Sequence, residues 1–216
     1  GSYTLNADAD INGSLTIAAG AALDSGGNAI TVARDWDKDA TGTFTAGTGT
    51  VTFDGSDTSY IKGATSFNNL SVTTAGKVIR FEEDLTQTVN GSLTVTGSGG
   101  NHVQLRLYDT AGGTSGQWLI NNAGANETVQ YVTVADSDVT GTPDITADFS
   151  TDGGNNDGAG GGSASPAWLF SGDLFTWTGG TTDWHAASNW DIGDGTPGDD
   201  GTPQPEDSVK IPYTGT

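Results

Sequence analysis

The chain has 216 residues, no cysteine and no methionine, and 7 basic against 27 acidic side chains, for a net charge of −20. That charge opposes nucleic acid, anionic lipid and polyuronates as partners and favours solubility and cation binding. The missing cysteines leave no disulfide framework and no thiol chemistry.

Glycine accounts for 34 residues and the hydrophobic fraction is 33%, which suits an elongated fold with a thin core and many turns. No apolar run is long enough to span a membrane, and no secretory signal pattern stands at the N-terminus. Gly1-Ser2 reads as native or as a cloning remnant, and the whole as a piece of something longer.

The segment Asn12-Gly13-Ser14-Leu15-Thr16-Ile17 returns as Asn90-Gly91-Ser92-Leu93-Thr94-Val95, with a looser echo at Asn69-Leu70-Ser71-Val72. Each copy is a turn followed by a short strand with alternate apolar residues. Such strands bury a core only by stacking on one another. Period-two pairs continue through Ile30/Val32, Val51/Phe53, Leu70/Val72, Ile79/Phe81, Val103/Leu105/Leu107, Trp118/Ile120 and Val132/Val134. Gly- and Asn-rich clusters separate them and supply the positive φ that sharp corners need.

Two architectures fit: an antiparallel sandwich of immunoglobulin type, and a parallel β-helix. Very short strands, the repeated unit in one orientation and the lack of a hairpin ladder favour the second. The prediction is an all-β chain: a right-handed parallel β-helix (β-solenoid) over residues 1–170. Residues 150–165 hold nothing larger than alanine that is apolar and are expected to be a long loop. Trp168-Leu169-Phe170 then supplies a closing strand. Residues 171–216 form a Trp-rich linker or capping module, with Trp177, Trp184 and Trp190 close together. Asp183 to Asn189 is its one candidate helical turn, Gly193 to Glu206 an acidic loop, and Ser208-Val209-Lys210-Ile211-Pro212 a final strand.

With these segments in hand, the chain resembles the repetitive β-helical modules of giant bacterial cell-surface, adhesin-like, filament-forming proteins. The likeness is carried by Gly42 to Phe53 with Phe67 to Val72. It is carried also by Tyr131 to Asp138 with Asp152 to Asn156 and Trp168 to Phe170, and by Trp177 to Gly180, Ser188 to Trp190 and Asp207 to Pro212. In such modules a Trp-Gly-Gly segment opens the unit and a Trp-Leu-Phe segment ends it, whereas here the opening segment stands last. A Val-x-Ile-Pro strand there leads into Tyr-x-Leu-x-Ala-Asp. This chain ends on Val209-Lys210-Ile211-Pro212-Tyr213 and begins Tyr3-Thr4-Leu5-Asn6-Ala7-Asp8. The resemblance implies one repeat of an extracellular head-to-tail array. The partners would be other copies, and the interface Trp177, Trp184, Trp190, Ile211 and Tyr213 against Tyr3 and Leu5. The alternative is a tail that folds back on its own solenoid.

The sharpest candidate chemistry is Asp35-Trp36-Asp37-Lys38-Asp39, where alternate carboxylates are a candidate Ca2+ site. The pattern departs from an EF-hand loop, and Lys38 adds repulsion; a solvated corner is the competing reading. Asp8/Asp10, Asp136/Asp138, Asp152/Asp157 and Asp194/Asp199/Asp200 are weaker versions of it. No nucleophile elbow, phosphate loop or zinc spacing is present, and no enzyme activity is expected. A lyase for acidic sugars would need clustered cations. Of Arg34, Arg80, Arg106, His102 and His185, which are widely spaced, Arg80 and Arg106 are candidates to share one face of adjacent coils, and pairing with Glu82, Glu83 or Asp109 is the competing reading. A glycan-binding role for the three C-terminal tryptophans competes with a cap over the solenoid end. The Thr-x-Thr stretches are too few to line up as one ice-binding array. Four sequons open at Asn12, Asn69, Asn90 and Asn126, where corner hydrogen bonding is preferred to glycosylation.

Overall fold

The computed structural model describes residues 1–108, 116–156 and 166–171, and the backbones of strands at 174–177, 190–192 and 208–210. Among the described residues every regular element is a strand. Three short strands make a coil, and seven coils stack. The first three coils are β1 (Ser2–Thr4), β2 (Ala9–Ile11) and β3 (Leu15–Ile17); β4 (Ala22–Asp24), β5 (Ile30–Val32) and β6 (Trp36–Lys38); then β7 (Thr43–Thr45), β8 (Thr50–Phe53) and β9 (Ser59–Lys62). Next come β10 (Ser66–Phe67), β11 (Asn69–Val72) and β12 (Val78–Glu82), followed by β13 (Thr86–Val89), β14 (Ser92–Thr96) and β15 (Val103–Tyr108). The last two are β16 (Trp118–Asn121), β17 (Asn126–Gln130) and β18 (Val132–Val134), and β19 (Ser137–Val139), β20 (Ile145–Asp148) and β21 (Thr151–Asp152).

Strands in the same place on successive coils pair in parallel, which makes the column a parallel β-helix and sets aside the antiparallel sandwich. The second strands form an eight-stranded sheet that ends on β22 (Trp168–Ser171), and the third strands a seven-stranded sheet. We call these face 2 and face 3. The first strands form face 1, split into β1-β4-β7 and β10-β13-β16-β19. In the first coils a residue meets its neighbour 21 positions on. Later the step reaches 34, between Ser92 and Asn126. The added length sits at corners, so the rungs keep their register.

The period-two pairs face inward. On face 2, Ile30, Val51, Leu70 and Leu93 follow one another rung by rung, and Val72, Val95 and Val129 do the same beside them. On face 3 the sequence is Trp36, Ile61, Phe81 and Leu107. All of these are buried, each worth about 1.5–3 kcal/mol of apolar transfer. No coil could collect enough of this alone; the core exists only along the axis.

Face 1 splits where three rings cluster. Trp36 meets Phe44 at 4.7 Å and Phe67 at 5.4 Å. Polar groups freed there are satisfied internally. Trp36 Nε1 donates to Thr65 Oγ1 at 3.2 Å, Thr65 N donates to Gln87 Oε1, and Gln87 Nε2 donates to the Gly63 carbonyl. Toward the other end, Trp118 stacks on Phe81 at 4.0 Å.

Two expectations need correction. The near-identical copies beginning at Asn12 and Asn90 do not stack: Leu15 lies on face 3 beside Trp36, whereas Leu93 lies on face 2 beside Leu70. Any face of a three-sided coil needs a turn and an inward-alternating strand, so the letters do not choose the face. The glycine-rich stretch, expected to be a loop from residue 150, is tied down to 156. β21 pairs with β18, Asn156 Nδ2 donates to the Val134 carbonyl at 2.9 Å, and Asn155 Nδ2 donates to Asp136 Oδ1 at 3.0 Å.

Trp168 does begin a last strand: Ile145 pairs with Trp168 and Ala147 with Phe170. Beyond it, β23 (Leu174–Trp177), β24 (Trp190–Ile192) and β25 (Ser208–Lys210) form a separate sheet in the order β24-β23-β25, antiparallel on one side of β23 and parallel on the other. The candidate helical turn at 183–189 and the loop at 193–206 lie outside the described residues.

Candidate functional site

The acidic candidates serve the backbone. Asp35 lies outside the core, on the corner before β6. Its Oδ1 accepts from Tyr60 N at 2.9 Å and its Oδ2 from Ser14 Oγ at 3.3 Å, bridging the first three coils. Asp39 turns on itself and accepts from Thr41 N at 2.8 Å and Thr41 Oγ1 at 2.7 Å. These two bonds hold its carboxyl below the ordinary 3.8. Asp37 points outward beside Lys62 of the next coil. Lys38 points inward instead and is 9% exposed, its Nζ donating to the carbonyls of Asp39 and Gly42. Asp35, Asp37 and Asp39 are not brought together, and among the described residues no three carboxylate, imidazole or thiol groups gather as a metal site requires.

The same use of carboxylates recurs at other corners. Asp8 Oδ1 accepts from Ala29 N, Asp144 Oδ1 from Ala167 N, and Glu82 Oε2 from Gly63 N, all at 2.8–2.9 Å. Each oxygen on one coil caps a backbone N–H on an adjacent coil, which a turn would otherwise leave unpaired. Part of the acidity is therefore a capping system. The sequon asparagines do similar work: Asn69 Oδ1 accepts from Ser92 N, Asn90 Nδ2 donates to the Phe67 carbonyl, and Asn126 Nδ2 donates to Ser92 Oγ. They bond to backbone and to neighbouring hydroxyls, as corner asparagines should.

The outer side of face 2 holds a column of hydroxyls. Thr31, Thr52, Ser71, Thr94 and Thr128 stand on successive rungs. The Thr-x-Thr stretches themselves are split, Thr43 and Thr45 on face 1 and Thr50 and Thr52 on face 2; the column is made of single hydroxyls distant in sequence that the coil repeat aligns.

The outer side of face 3 is different. Tyr60, Arg80 and Arg106 stand on three successive rungs in direct register. Tyr108 lies opposite Glu82 in the adjacent column. The Tyr60 and Tyr108 rings meet edge to face at 4.9 Å, and Lys62 Nζ sits 5.9 Å and 5.6 Å from their centroids. Arg80 Nη1 donates to the Leu107 carbonyl at 3.0 Å and Arg106 Nη2 to Gln104 Oε1 at 3.3 Å. Glu82, the nearest carboxylate in the pattern, is engaged with Gly63 N. Among the described residues the ion pair formed is Arg34 with Asp57, at 3.0 Å. That Arg80 and Arg106 share one face was one of two sequence readings; their direct register, and the two tyrosines and Lys62 beside them, come from the fold, because the coil step changes between these rungs.

Of the expected interface residues, Tyr3 is 65% exposed and Leu5 packs partly against the end of the core. Trp177 and Trp190 pair across β23 and β24. Trp184, Ile211 and Tyr213 lie outside the described residues, as does His185.

No family model, curated protein or solved structure matches this chain. The functional reading therefore rests on the geometry above.

Proposed function

We propose that this chain is a structural unit of an extracellular bacterial surface fibre, sheath or adhesin, and that its units stack head to tail. One observation carries the reading: the parallel sheets continue from coil to coil, and each coil pairs only with the coils next to it. Among the described residues, β1, β2 and β3 each have a strand on one side only. A cleft of about 450 Å³ opens there, lined by Tyr3, Leu15, Ile17, Ala21 and Leu23 among others. Unpaired strand edges over an apolar layer are a template for further strands. A layer supplied by another unit continues all three faces, so length is gained by addition, with each coil touching only its neighbours.

The test is electron microscopy and sedimentation of the chain across concentration, beside Leu15→Asp and Leu23→Asp. The expected result is rods that lengthen with concentration and stay single in the variants, with β-structure retained by circular dichroism. Compact single particles at every concentration, or variants that lengthen equally, sink the reading. The second reading, a glycan-binding surface module, is favoured by the tyrosine and arginine surface of face 3.

A further inference from the structure

We propose that the outer side of face 3, over coils three to five, binds a uronic-acid polysaccharide. Arg80 and Arg106 carry it, and Tyr60, Tyr108 and Lys62 flank it. The inference concerns the side of the column, so it stands or falls separately from end-to-end stacking.

Placing the two arginines side by side carries a cost. Like charges directly opposite on neighbouring strands repel, and Arg80 faces Arg106 in register. A carboxylate beside them would ordinarily remove that cost. Glu82 is spent on Gly63 N instead, and neither arginine forms an ion pair among the described residues. Each guanidinium uses one donor within the sheet, to Leu107 O and to Gln104 Oε1. A guanidinium has five N–H donors in a planar fork, so most on each arginine remain for an external acceptor. Their stems lie along the sheet, each half-buried, which limits how far the heads can stray.

The class of ligand follows from three features. Paired planar forks match carboxylates, which they bind through two parallel hydrogen bonds. Tyr60 and Tyr108 add ring surface, which suits the C–H faces of pyranose rings. The surface is a flat sheet, with rungs about 4.8 Å apart, and suits an extended polymer laid along it. The net charge of −20 does not forbid this. At physiological salt the field of distant carboxylates is screened beyond about 8 Å, and of the carboxylates beside Lys62, Arg80 and Arg106, Asp35 and Glu82 are each engaged with a backbone N–H while Asp37 faces Lys62. The charge of the chain as a whole opposes polyuronates, and the two arginines supply the local exception proposed here.

The experiment titrates the full chain with polygalacturonate, with dextran sulfate and neutral dextran as parallel arms, at physiological salt. The variants are Arg80→Gln/Arg106→Gln and Arg80→Lys/Arg106→Lys, with circular dichroism and the melting temperature confirming an intact fold. Polygalacturonate is expected to bind and neutral dextran not. The Gln pair should weaken binding about tenfold or more, and the Lys pair, which keeps the charge and loses the fork, nearly as much. The proposal is overturned if polygalacturonate does not bind, or if neutral dextran binds equally. It is overturned too if dextran sulfate binds at least as tightly and the Lys pair retains full affinity, since point charge then suffices. Self-association abolished by the Gln pair, with no glycan bound, assigns the surface to an acidic second copy instead.

Discussion

Lys77 reaches back to the preceding coil and donates from Nζ to the Gly55 carbonyl at 2.6 Å, with a second bond to the Asp57 carbonyl at 3.0 Å. Its side chain is fully buried. Burial pushes the amine below its ordinary 10.5, against the pull of Asp54, Asp57 and Asp35. Between the lowered folded value and 10.5 the unfolded chain holds a proton that the folded chain has released, so stability rises with pH across that window. Below the window both states are protonated and the contribution is constant. Wild type is therefore expected to gain on Lys77→Met as pH climbs toward 10.5, measured by denaturant melts at matched ionic strength. At neutral pH the variant should be less stable by about 1–3 kcal/mol, because two carbonyls lose their donor. A difference that stays flat with pH rejects the account.

Gly63 and Gly20 both have positive φ, +76° and +66°, but only one is crowded. A Cβ on Gly63 collides with the Lys38 carbonyl oxygen of the coil beneath, whereas one on Gly20 meets nothing within 4 Å. Gly20→Ala should cost only the left-handed backbone penalty, about 1–2 kcal/mol. Gly63→Ala must also push neighbouring rungs apart, for about 3 kcal/mol or more. Equal costs in parallel melts would show that rung spacing does not constrain this corner.

Asp39 gives a pH test on a single group. The backbone N–H of Thr41, and then its hydroxyl, hold the carboxyl below 3.8. The linked stability is present above 3.8 and fades as pH falls through the folded value. Thr41→Ala removes the hydroxyl and keeps the N–H. The Asp39 midpoint, followed by NMR, should rise toward 3.8 without reaching it. No movement assigns the whole shift to the backbone bond.

The sequence made the inner surface legible and the outer surface much less so. Period-two pairs such as Ile79/Phe81 and Val132/Val134 could be read because burial demands alternation, and all four are buried. Lys38, Lys77 and Gln87 could not, because their type argues for solvent and only the fold shows which carbonyls and amides receive them. The hydrogen bonding of the candidate cation ligands was hidden for a related reason. Spacing places Asp35 and Asp37 on one outward side, but the corner N–H groups of neighbouring coils compete for such oxygens, and for Asp35 they win. A shared face for Arg80 and Arg106 was one of two readings the sequence left open, and the register decides it. Tyr60 beside Arg80 was not legible, since the register depends on corner lengths that no motif announces.

The stack of Trp118 on Phe81 tests whether the column holds together locally or as a whole. The rings lie 4.0 Å apart and nearly parallel, at 12°, and Trp118 Nε1 donates to the Ala135 carbonyl at 3.0 Å. Trp118→Phe keeps a ring and loses the donor, so it should cost about 1–3 kcal/mol. Trp118→Ala also opens a cavity, for about 3–5 kcal/mol. In a column where each coil rests on the next, that loss should appear first as local opening. Amide exchange in Trp118→Ala is expected to quicken in β13, β16 and β19, the strands stacked around residue 118 on face 1. β2, β5 and β8 should keep wild-type protection, because their apolar column reaches Trp118 only through several intervening rungs. Uniform loss of protection along the chain would mean that the seven coils melt as one cooperative unit, and the additive picture of the solenoid would have to be given up.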